Sequence, residues 1–207
     1  MSIQSKLVAS KFLQTISVVL AAAMLPACDG SLRREGPPAG ARLQILRTDL
    51  ERNRLWVLER EAISLHDNTN GRRLRRIVLP DWIFVGKQYS CPPGLALDAD
   101  GAAFVTSNVL PALWRIDPKQ FEVTRLELAL DSDTDKDVGF SGLAFAEDGT
   151  LLAAGAGVGS LWRIDTGAAS ARKIASYPSL RDVCDPATLL RASQEQINSV
   201  SVASRPR

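Results

Sequence analysis

The chain has 207 residues, of which 45% are hydrophobic; this is an ordinary globular composition, long enough to bury one core. Its 25 basic and 23 acidic side chains nearly cancel, leaving a net charge of +2, and this balance excludes nucleic acid as the expected partner. A single histidine and three cysteines argue against a serine–histidine–aspartate triad or a zinc centre.

Residues 1–27 have the layout of a bacterial lipoprotein signal peptide. Two early lysines precede an apolar run at 12–25 that is short for a membrane span and is expected to be helical. The segment LPAC at 25–28 resembles the lipobox, in which cleavage precedes the cysteine and lipid is attached to it. We therefore expect Cys28 to be lipidated and to hold the chain on the membrane, facing the periplasm. An ordinary signal peptide that contains a cysteine is the alternative.

Residues 28–41 are rich in glycine and proline and are expected to form a flexible tether. After the tether, residues 42–90 hold short alternating segments at 54–59, 63–67 and 75–79. Their apolar spacing matches two clearer copies downstream, so 42–90 is interpreted as a degenerate first unit of a repeat.

Four of the five residues at 72–76 are arginine. One interpretation is a nucleic-acid patch, and the other is a solvated strand face. Export from the cytoplasm favours the solvated face, and attraction to anionic lipid head groups is compatible with an anchored protein.

The clearest feature of the chain is an internal repeat. Residues 94–117 (GLALDADGAAFVTSNVLPALWRID) and 142–165 (GLAFAEDGTLLAAGAGVGSLWRID) align without a gap at an offset of 48 and share ten of 24 positions. In each copy an Asp-Gly hairpin turn joins two apolar strands, and an LWRID strand follows. Short strands at a period in the high forties indicate the blades of a β-propeller.

The sequence thus predicts an all-β fold, an incomplete β-propeller of about three four-stranded antiparallel blades. The blades are expected at 42–90, 91–138 and 139–183, with the start of a fourth at 184–190, where Cys184-Asp185-Pro186 echoes Cys91-Pro92-Pro93. The polar residues 191–207 are expected to be a disordered or truncated tail. Because closed propellers need at least four blades, three hypotheses remain: a shortened chain, a ring completed by several copies, or an open stack.

Trp114 and Trp162 occupy the same place in the two clear copies. Side chains repeated in this way are expected to pack between blades rather than to serve as ligand platforms.

An acidic stretch between the second and third blades is the candidate metal site. Alternate aspartates can present hard oxygens to one Ca²⁺ ion, and they stand here at Asp131, Asp133, Asp135 and Asp137. The stretch is not an EF-hand loop, because its sixth position is Lys136 and its twelfth is Gly142. A solvated acidic connection is the alternative.

Cys91 and Cys184 are the cysteines that lipidation would leave. An oxidising periplasm permits a disulfide between them. Equivalent positions in the second and fourth blades would, however, face each other across a channel, beyond disulfide reach. The sequence leaves both outcomes open.

The blade pattern of Gly-Leu-Ala, Asp-Gly and LWRID resembles the NHL and SMP-30/gluconolactonase-like propellers over about 150 residues. In the lactonase branch the resemblance implies a divalent cation in the central channel, held by Glu, Asn and Asp from different blades. The resemblance makes Asn108, which follows the second strand of its blade, the candidate for the asparagine ligand, whereas the third unit has Ala156 there and no matching Glu and Asp are assigned. NHL-type propellers, by comparison, more often bind partners than catalyse.

Three functions are compatible with the sequence. The first is a lipid-anchored, non-enzymatic envelope protein that binds a protein partner or a small ligand. The second is a calcium-dependent lactonase-like hydrolase that uses the channel mouth and Asn108. The third is a truncated remnant without function.

Overall fold

The computed structural model describes residues 45–86, 91–131, 139–155, 157, 159–180, 183–192 and 194. The predicted signal peptide and tether at 1–41 lie outside the described residues, as does most of the tail predicted for 191–207. No helix in the described part of the chain is long and apolar enough to cross a bilayer.

The predicted four-stranded antiparallel blades are confirmed. Each of the first two blades is a meander in which consecutive strands pair side by side. Blade 1 comprises β1 (Ile45–Asp49), β2 (Arg54–Leu58), β3 (Ala62–Asp67) and β4 (Arg73–Val78). Blade 2 comprises β5 (Leu95–Leu97), β6 (Ala103–Thr106), β7 (Ala112–Ile116) and β8 (Val123–Glu127).

Blade 3 has a fifth strand that arrives from the connection after blade 2. The short strand β9 (Ala129–Leu130) pairs in parallel with the last strand of blade 3 and so ties the two blades together. The other four strands form the same meander as before. They are β10 (Phe140–Phe145), β11 (Leu151–Gly155), β12 (Ser160–Asp165) and β13 (Ser170–Ser176).

The tryptophans of the repeat pack between blades, as the sequence predicts. Trp114 is fully buried beside Trp56 and Ile63 of blade 1, and its indole N–H donates to the Pro80 carbonyl at 2.8 Å. Trp162 is 2% exposed and lies against the aromatic ring of Phe140 in the core between blades 2 and 3. The interfaces between blades are therefore the hydrophobic core, since each blade buries one face against its neighbour.

Blade 1 departs from the repeat at the tryptophan position. Its third strand, ISLHD, aligns with LWRID, so Ser64 stands where Trp114 and Trp162 stand. That position faces the preceding blade, and no blade precedes the first one among the described residues. The Ser64 hydroxyl is buried without a hydrogen-bond partner in the described structure.

The aspartate that ends each LWRID-type strand forms a turn that recurs in all three blades. Asp117 accepts main-chain N–H groups of Lys119 and Gln120, and the backbone then passes through a positive φ at Phe121. Aspartate suits this place because its short side chain can satisfy the N–H groups of a tight turn. The equivalent pairs of aspartate and positive-φ residue are Asp67 with Gly71 and Asp165 with Ala169.

The expected start of a fourth blade at 184–190 is wrong, because residues 186–192 form a helix, α1. Asp185 caps this helix: its carboxylate accepts the Ala187 N–H at 3.2 Å and the Thr188 hydroxyl at 2.8 Å. Asp at the cap followed by Pro at the first helical position is a strong helix start. The similarity of 184–186 to the segment that begins at Cys91 therefore does not predict a strand, because the helix-capping residues determine the local structure.

The C-terminal segment covers the outer face of blade 3. Leu152, Ala154 and Leu161 form a third core cluster with Leu189 of α1, which is fully buried. Partly buried Tyr177 and Leu190 pack against the same cluster. The blade face that would otherwise meet a fourth blade is thus closed by the chain itself.

Candidate functional site

The residues proposed for calcium do not come together as a site in the described structure. Asp133, Asp135 and Asp137 lie outside the described residues. Asp131 is described, and its carboxylate accepts the Lys173 N–H at 2.9 Å and lies 3.7 Å from the Arg172 guanidinium. No group of three or more metal-ligating side chains is found among the described residues.

Asn108 is buried and its amide is directed at the main chain. The side-chain oxygen accepts the Val85 N–H at 3.0 Å, and the side-chain nitrogen donates to the carbonyls of Val85 and Cys91 at 2.8 and 3.2 Å. These bonds brace the connection between blades 1 and 2.

Cys91 and Cys184 are joined by a disulfide, with their Cα atoms 5.3 Å apart. The expected separation across a channel does not arise, because Cys184 does not sit in a fourth blade. It crosses the inner strand of blade 3 so closely that a Cβ atom on Gly142 would lie 1.6 Å from the Cys184 carbonyl oxygen. The disulfide therefore fastens the C-terminal segment to the entry of β5.

His66, the single histidine, has a structural position. Its Nδ1 lies 3.0 Å from the Gly71 carbonyl, across the turn that follows β3. The ring closes that turn, and no serine or cysteine nucleophile is brought to it by these contacts.

A cleft lies between blades 1 and 2, and we call it the blade 1–2 groove. It has a volume of about 630 Å³. Among the described residues, its lining is charged and contains no histidine, serine or cysteine. The lining residues are Arg52, Arg54, Asp100, Arg115, Asp117, Pro118 and Lys119.

Two arginines of blade 1 are held in the groove by main-chain acceptors of blade 2. Arg52 pairs with Asp49 at 3.2 Å and donates to the Ala99 carbonyl at 3.0 Å. Arg54 donates to the Pro118 carbonyl at 2.8 Å, and its guanidinium carbon lies 5.4 Å from the Phe121 ring centre. Such contacts fix long side chains in place, which lowers the entropy lost when a ligand binds.

The turn that follows β7 affects the pKa of Asp117 in the groove. The N–H groups of Gln120 and Lys119, which point at the Asp117 carboxylate, lower its pKa below the ordinary value of 3.8. Arg52 is paired with Asp49 and Glu51, and the other cations of the lining, Arg54, Arg115 and Lys119, outnumber the carboxylates Asp100 and Asp117 by one. The groove therefore carries a positive excess and suits an anionic group.

A second groove at the equivalent place between blades 2 and 3 shows which residues give the blade 1–2 groove its excess of positive charge. Its volume is about 480 Å³, and its charged lining residues are Asp98, Arg115, Arg163 and Asp165. Arg163 and Asp165 are the repeat equivalents of Arg115 and Asp117. The second groove is balanced because it has no counterpart of Arg52, Arg54 and Lys119.

Fold and site together define a β-propeller-type protein with three described blades and a basic cleft between the first two. The chain matches no protein-family model, and a search of curated proteins found no match. It is similar in fold to several solved structures at low identity.

One is a catalytically inactive virginiamycin B lyase from Staphylococcus aureus with quinupristin, at 20% identity and a TM-score of 0.45 over 63% of this chain and 40% of that one. A second is the extracellular domain of BT4673 from B. thetaiotaomicron, at 19% identity and a TM-score of 0.46 over 66% of this chain and 18% of that one. A third is the WD40 domain of Pan2 from Neurospora crassa, at 15% identity and a TM-score of 0.42 over 59% and 32%. The chain spans less than half the length of each.

Proposed function

We propose that this chain is a lipid-anchored protein of the bacterial envelope, on the periplasmic side, whose blades bind a partner or ligand rather than catalyse a reaction. The observation that carries the binding role is the blade 1–2 groove. Its Arg52 and Arg54 are positioned by main-chain contacts, and most of its described charged lining residues are cations. The lipobox-like segment at 25–28 supports the anchor.

The groove is proposed to take an anionic group, either of a small molecule or of a partner protein. Guanidinium groups bind phosphate and carboxylate oxygens through paired N–H donors. Arg115 is the member best placed for this role, because it lines both grooves and no hydrogen bond ties it to the main chain of blade 1.

Binding is tested by calorimetric titration with inorganic pyrophosphate as the probe. We expect Arg115→Gln to weaken pyrophosphate binding about tenfold, which is the loss of one charge-assisted hydrogen bond. Arg163→Gln removes the repeat-equivalent arginine from the balanced groove and should leave the affinity unchanged. No heat with the unsubstituted protein, or equal losses in both variants, would contradict an anionic ligand in this groove.

The proposed lipid anchor at Cys28 and the proposed non-enzymatic role are tested by two separate experiments. Incorporation of labelled fatty acid is expected in the unsubstituted chain and should disappear in Cys28→Ser. A screen of lactones and esters, with and without calcium, addresses catalysis. Turnover that a chelator abolishes would favour the lactonase hypothesis instead.

A further inference from the structure

Phe121 occupies a backbone position that the equivalent turns of blades 1 and 3 fill with small residues. The turn after β7 passes through a φ of 62° at Phe121, and the equivalent residues Gly71 and Ala169 have φ values of 70° and 46°. A left-handed backbone is easy for glycine and unfavourable for a residue with a large side chain. The phenylalanine of blade 2 is therefore expected to make contacts that offset its backbone conformation.

The Phe121 ring packs against the core between blades 1 and 2 and has two guanidinium groups beside it. The guanidinium carbon of Arg54 lies 5.4 Å from the ring centre, and that of Arg75 lies 4.6 Å from it. Guanidinium groups are attracted to the negative face of an aromatic ring. Phe121 thus brings a cation of β2 and a cation of β4 to the same turn of blade 2.

Strand register places Arg75 on the face of blade 1 that meets blade 2. Arg75 pairs with Leu65, and Leu65 pairs with Trp56. Directly paired residues of antiparallel strands share a face, and both Leu65 and Trp56 belong to the core between the two blades. Arg75 itself is exposed. It therefore stands at the rim of the interface in which the blade 1–2 groove lies, although the lining of the groove includes Arg54 and not Arg75.

The two arginines at the Phe121 ring have no acidic partner. Neither Arg54 nor Arg75 takes part in an ion pair within the described part of the chain. By contrast Arg76, the next residue of β4, lies 3.8 Å from Glu61. Arg54 donates to the Pro118 carbonyl, and a guanidinium has further N–H donors for a ligand. Two like charges gathered at one ring repel each other, and an anion beside them relieves that repulsion.

We propose that Arg54 and Arg75 form a phosphate subsite that continues the blade 1–2 groove, that Phe121 is its positioning residue, and that the ligand of the groove carries linked phosphate groups. A phosphate has oxygens in several directions and can accept from two guanidinium groups, whereas a planar carboxylate matches the fork of one. Arg115 and Lys119 line the groove together with Arg54, so another phosphate of the same ligand can lie against them. This inference rests on the proposed binding of an anionic group in the groove.

Calorimetric titration of the full chain with orthophosphate and with tripolyphosphate, at one ionic strength, tests the subsite. Tripolyphosphate is expected to bind more tightly, because its linked phosphates reach both the groove and the subsite. Arg75→Gln should weaken tripolyphosphate about tenfold, which is the loss of one charge-assisted hydrogen bond. Orthophosphate should stay within about twofold, because a single phosphate can still bind at Arg115. Equal losses for the two ligands would overturn the claim of linked phosphates.

The matched control is Arg73→Gln on the same strand. It removes the same charge from an exposed residue of β4 that has no cation–π contact in the described structure. Because a charge that does not touch the ligand is screened by salt, tripolyphosphate affinity should stay within about twofold. Equal losses in Arg73→Gln and Arg75→Gln would mean that net charge alone sets the affinity, and this would overturn the subsite.

Two substitutions of Phe121 separate positioning from core packing. Phe121→Leu keeps an apolar side chain near Trp56 and removes the aromatic ring, so it should weaken tripolyphosphate about threefold. Phe121→Tyr retains the ring and should bind like the unsubstituted chain. Urea unfolding of both variants accompanies the titrations. An unchanged affinity in Phe121→Leu, with a loss of stability, would assign the ring to core packing and overturn its positioning role.

Failure of this inference differs from failure of the groove as an anion site. No heat from the unsubstituted chain with either ligand overturns both. If Arg115→Gln weakens the two ligands and Arg75→Gln weakens neither, the groove binds an anion and the subsite at Arg54 and Arg75 is overturned.

Discussion

The outer faces of blades 1 and 3 have no neighbouring blade in the described structure, and the chain treats them differently. On blade 3, Leu152, Ala154 and Leu161 are covered by the C-terminal segment and the buried Leu189. On blade 1, the repeated tryptophan is replaced by Ser64; Ser64 and Val57 at the centre of the face are buried, whereas Leu46 and Val78 on its edge strands are exposed. The comparison teaches that an incomplete propeller can cover the apolar face of one end blade and, at the other, replace the largest apolar residue of the repeat.

The largest predicted change in the free energy of unfolding is at the tryptophan position of blade 2, and the equivalent position of blade 1 is expected to contribute far less. Trp114→Ala should lower the free energy of unfolding by about 3–5 kcal/mol, because it empties a fully buried site between blades. Ser64→Ala, at the equivalent position of blade 1, should be neutral or slightly stabilising, since its buried hydroxyl has no partner in the described structure. Urea unfolding measures both, and equal losses would show that the two positions have the same environment.

The cover on blade 3 is tested by shortening the side chain that seals it. Leu189→Ala should cost about 2–5 kcal/mol of unfolding free energy, because the leucine is fully buried. The matched control is Leu46→Ala at an exposed leucine of blade 1, which should change stability by about 0.5 kcal/mol or less. A loss below about 1 kcal/mol at Leu189 would mean that α1 does not pack on blade 3 in solution.

The disulfide fastens that cover, so its removal should act on blade 3 more than on blade 1. Replacing both Cys91 and Cys184 by serine should lower the free energy of unfolding by about 2–4 kcal/mol, because the crosslink closes a loop with a sequence separation of 93. Limited proteolysis should then cut near 183–192 before it cuts blade 1. Early cleavage within 45–78 would contradict the asymmetry.

The smallest predicted effect concerns acid stability and the turns of blades 2 and 3. Main-chain N–H groups lower the pKa of Asp117, and the Thr150 N–H and hydroxyl lower the pKa of Asp148. A carboxyl whose folded pKa is depressed stabilises the fold above its unfolded pKa, here near 3.8, and this contribution is lost as pH falls through the folded pKa. Melting temperature should therefore decline below pH 4, and Asp117→Asn with Asp148→Asn should flatten the decline. An unchanged slope would exclude these two carboxyls as its source.

Much of the fold could be predicted because the residues that pack between blades recur at fixed positions of the sequence repeat. The LWRID segments place Trp114 and Trp162 on the face that meets the preceding blade, and the Asp-Gly turns fix their hairpins at Gly101 and Gly149, both with positive φ. Local patterns of this kind need no knowledge of distant residues.

The errors and omissions arise where distant segments meet. The predicted start of a fourth blade is wrong because Asp185 and Pro186 start a helix. Since that prediction places Cys184 in a fourth blade, it also overestimates the distance between Cys91 and Cys184. The blade 1–2 groove was not anticipated because it depends on long-range contacts: Arg52 reaches Ala99, 47 residues away, and Arg54 reaches Pro118, 64 residues away. Only the repeated Arg115 and Asp117 gave a local signal for it.

Hydrogen–deuterium exchange with and without reductant tests the asymmetry of the two ends most directly. If the disulfide-fastened C-terminal segment covers blade 3, reduction should speed exchange of amides in 183–192 and in β11 and β12, while β1 to β4 keep their rates. Exchange that rises equally in both end blades, or that does not change in β11 and β12, would contradict this account.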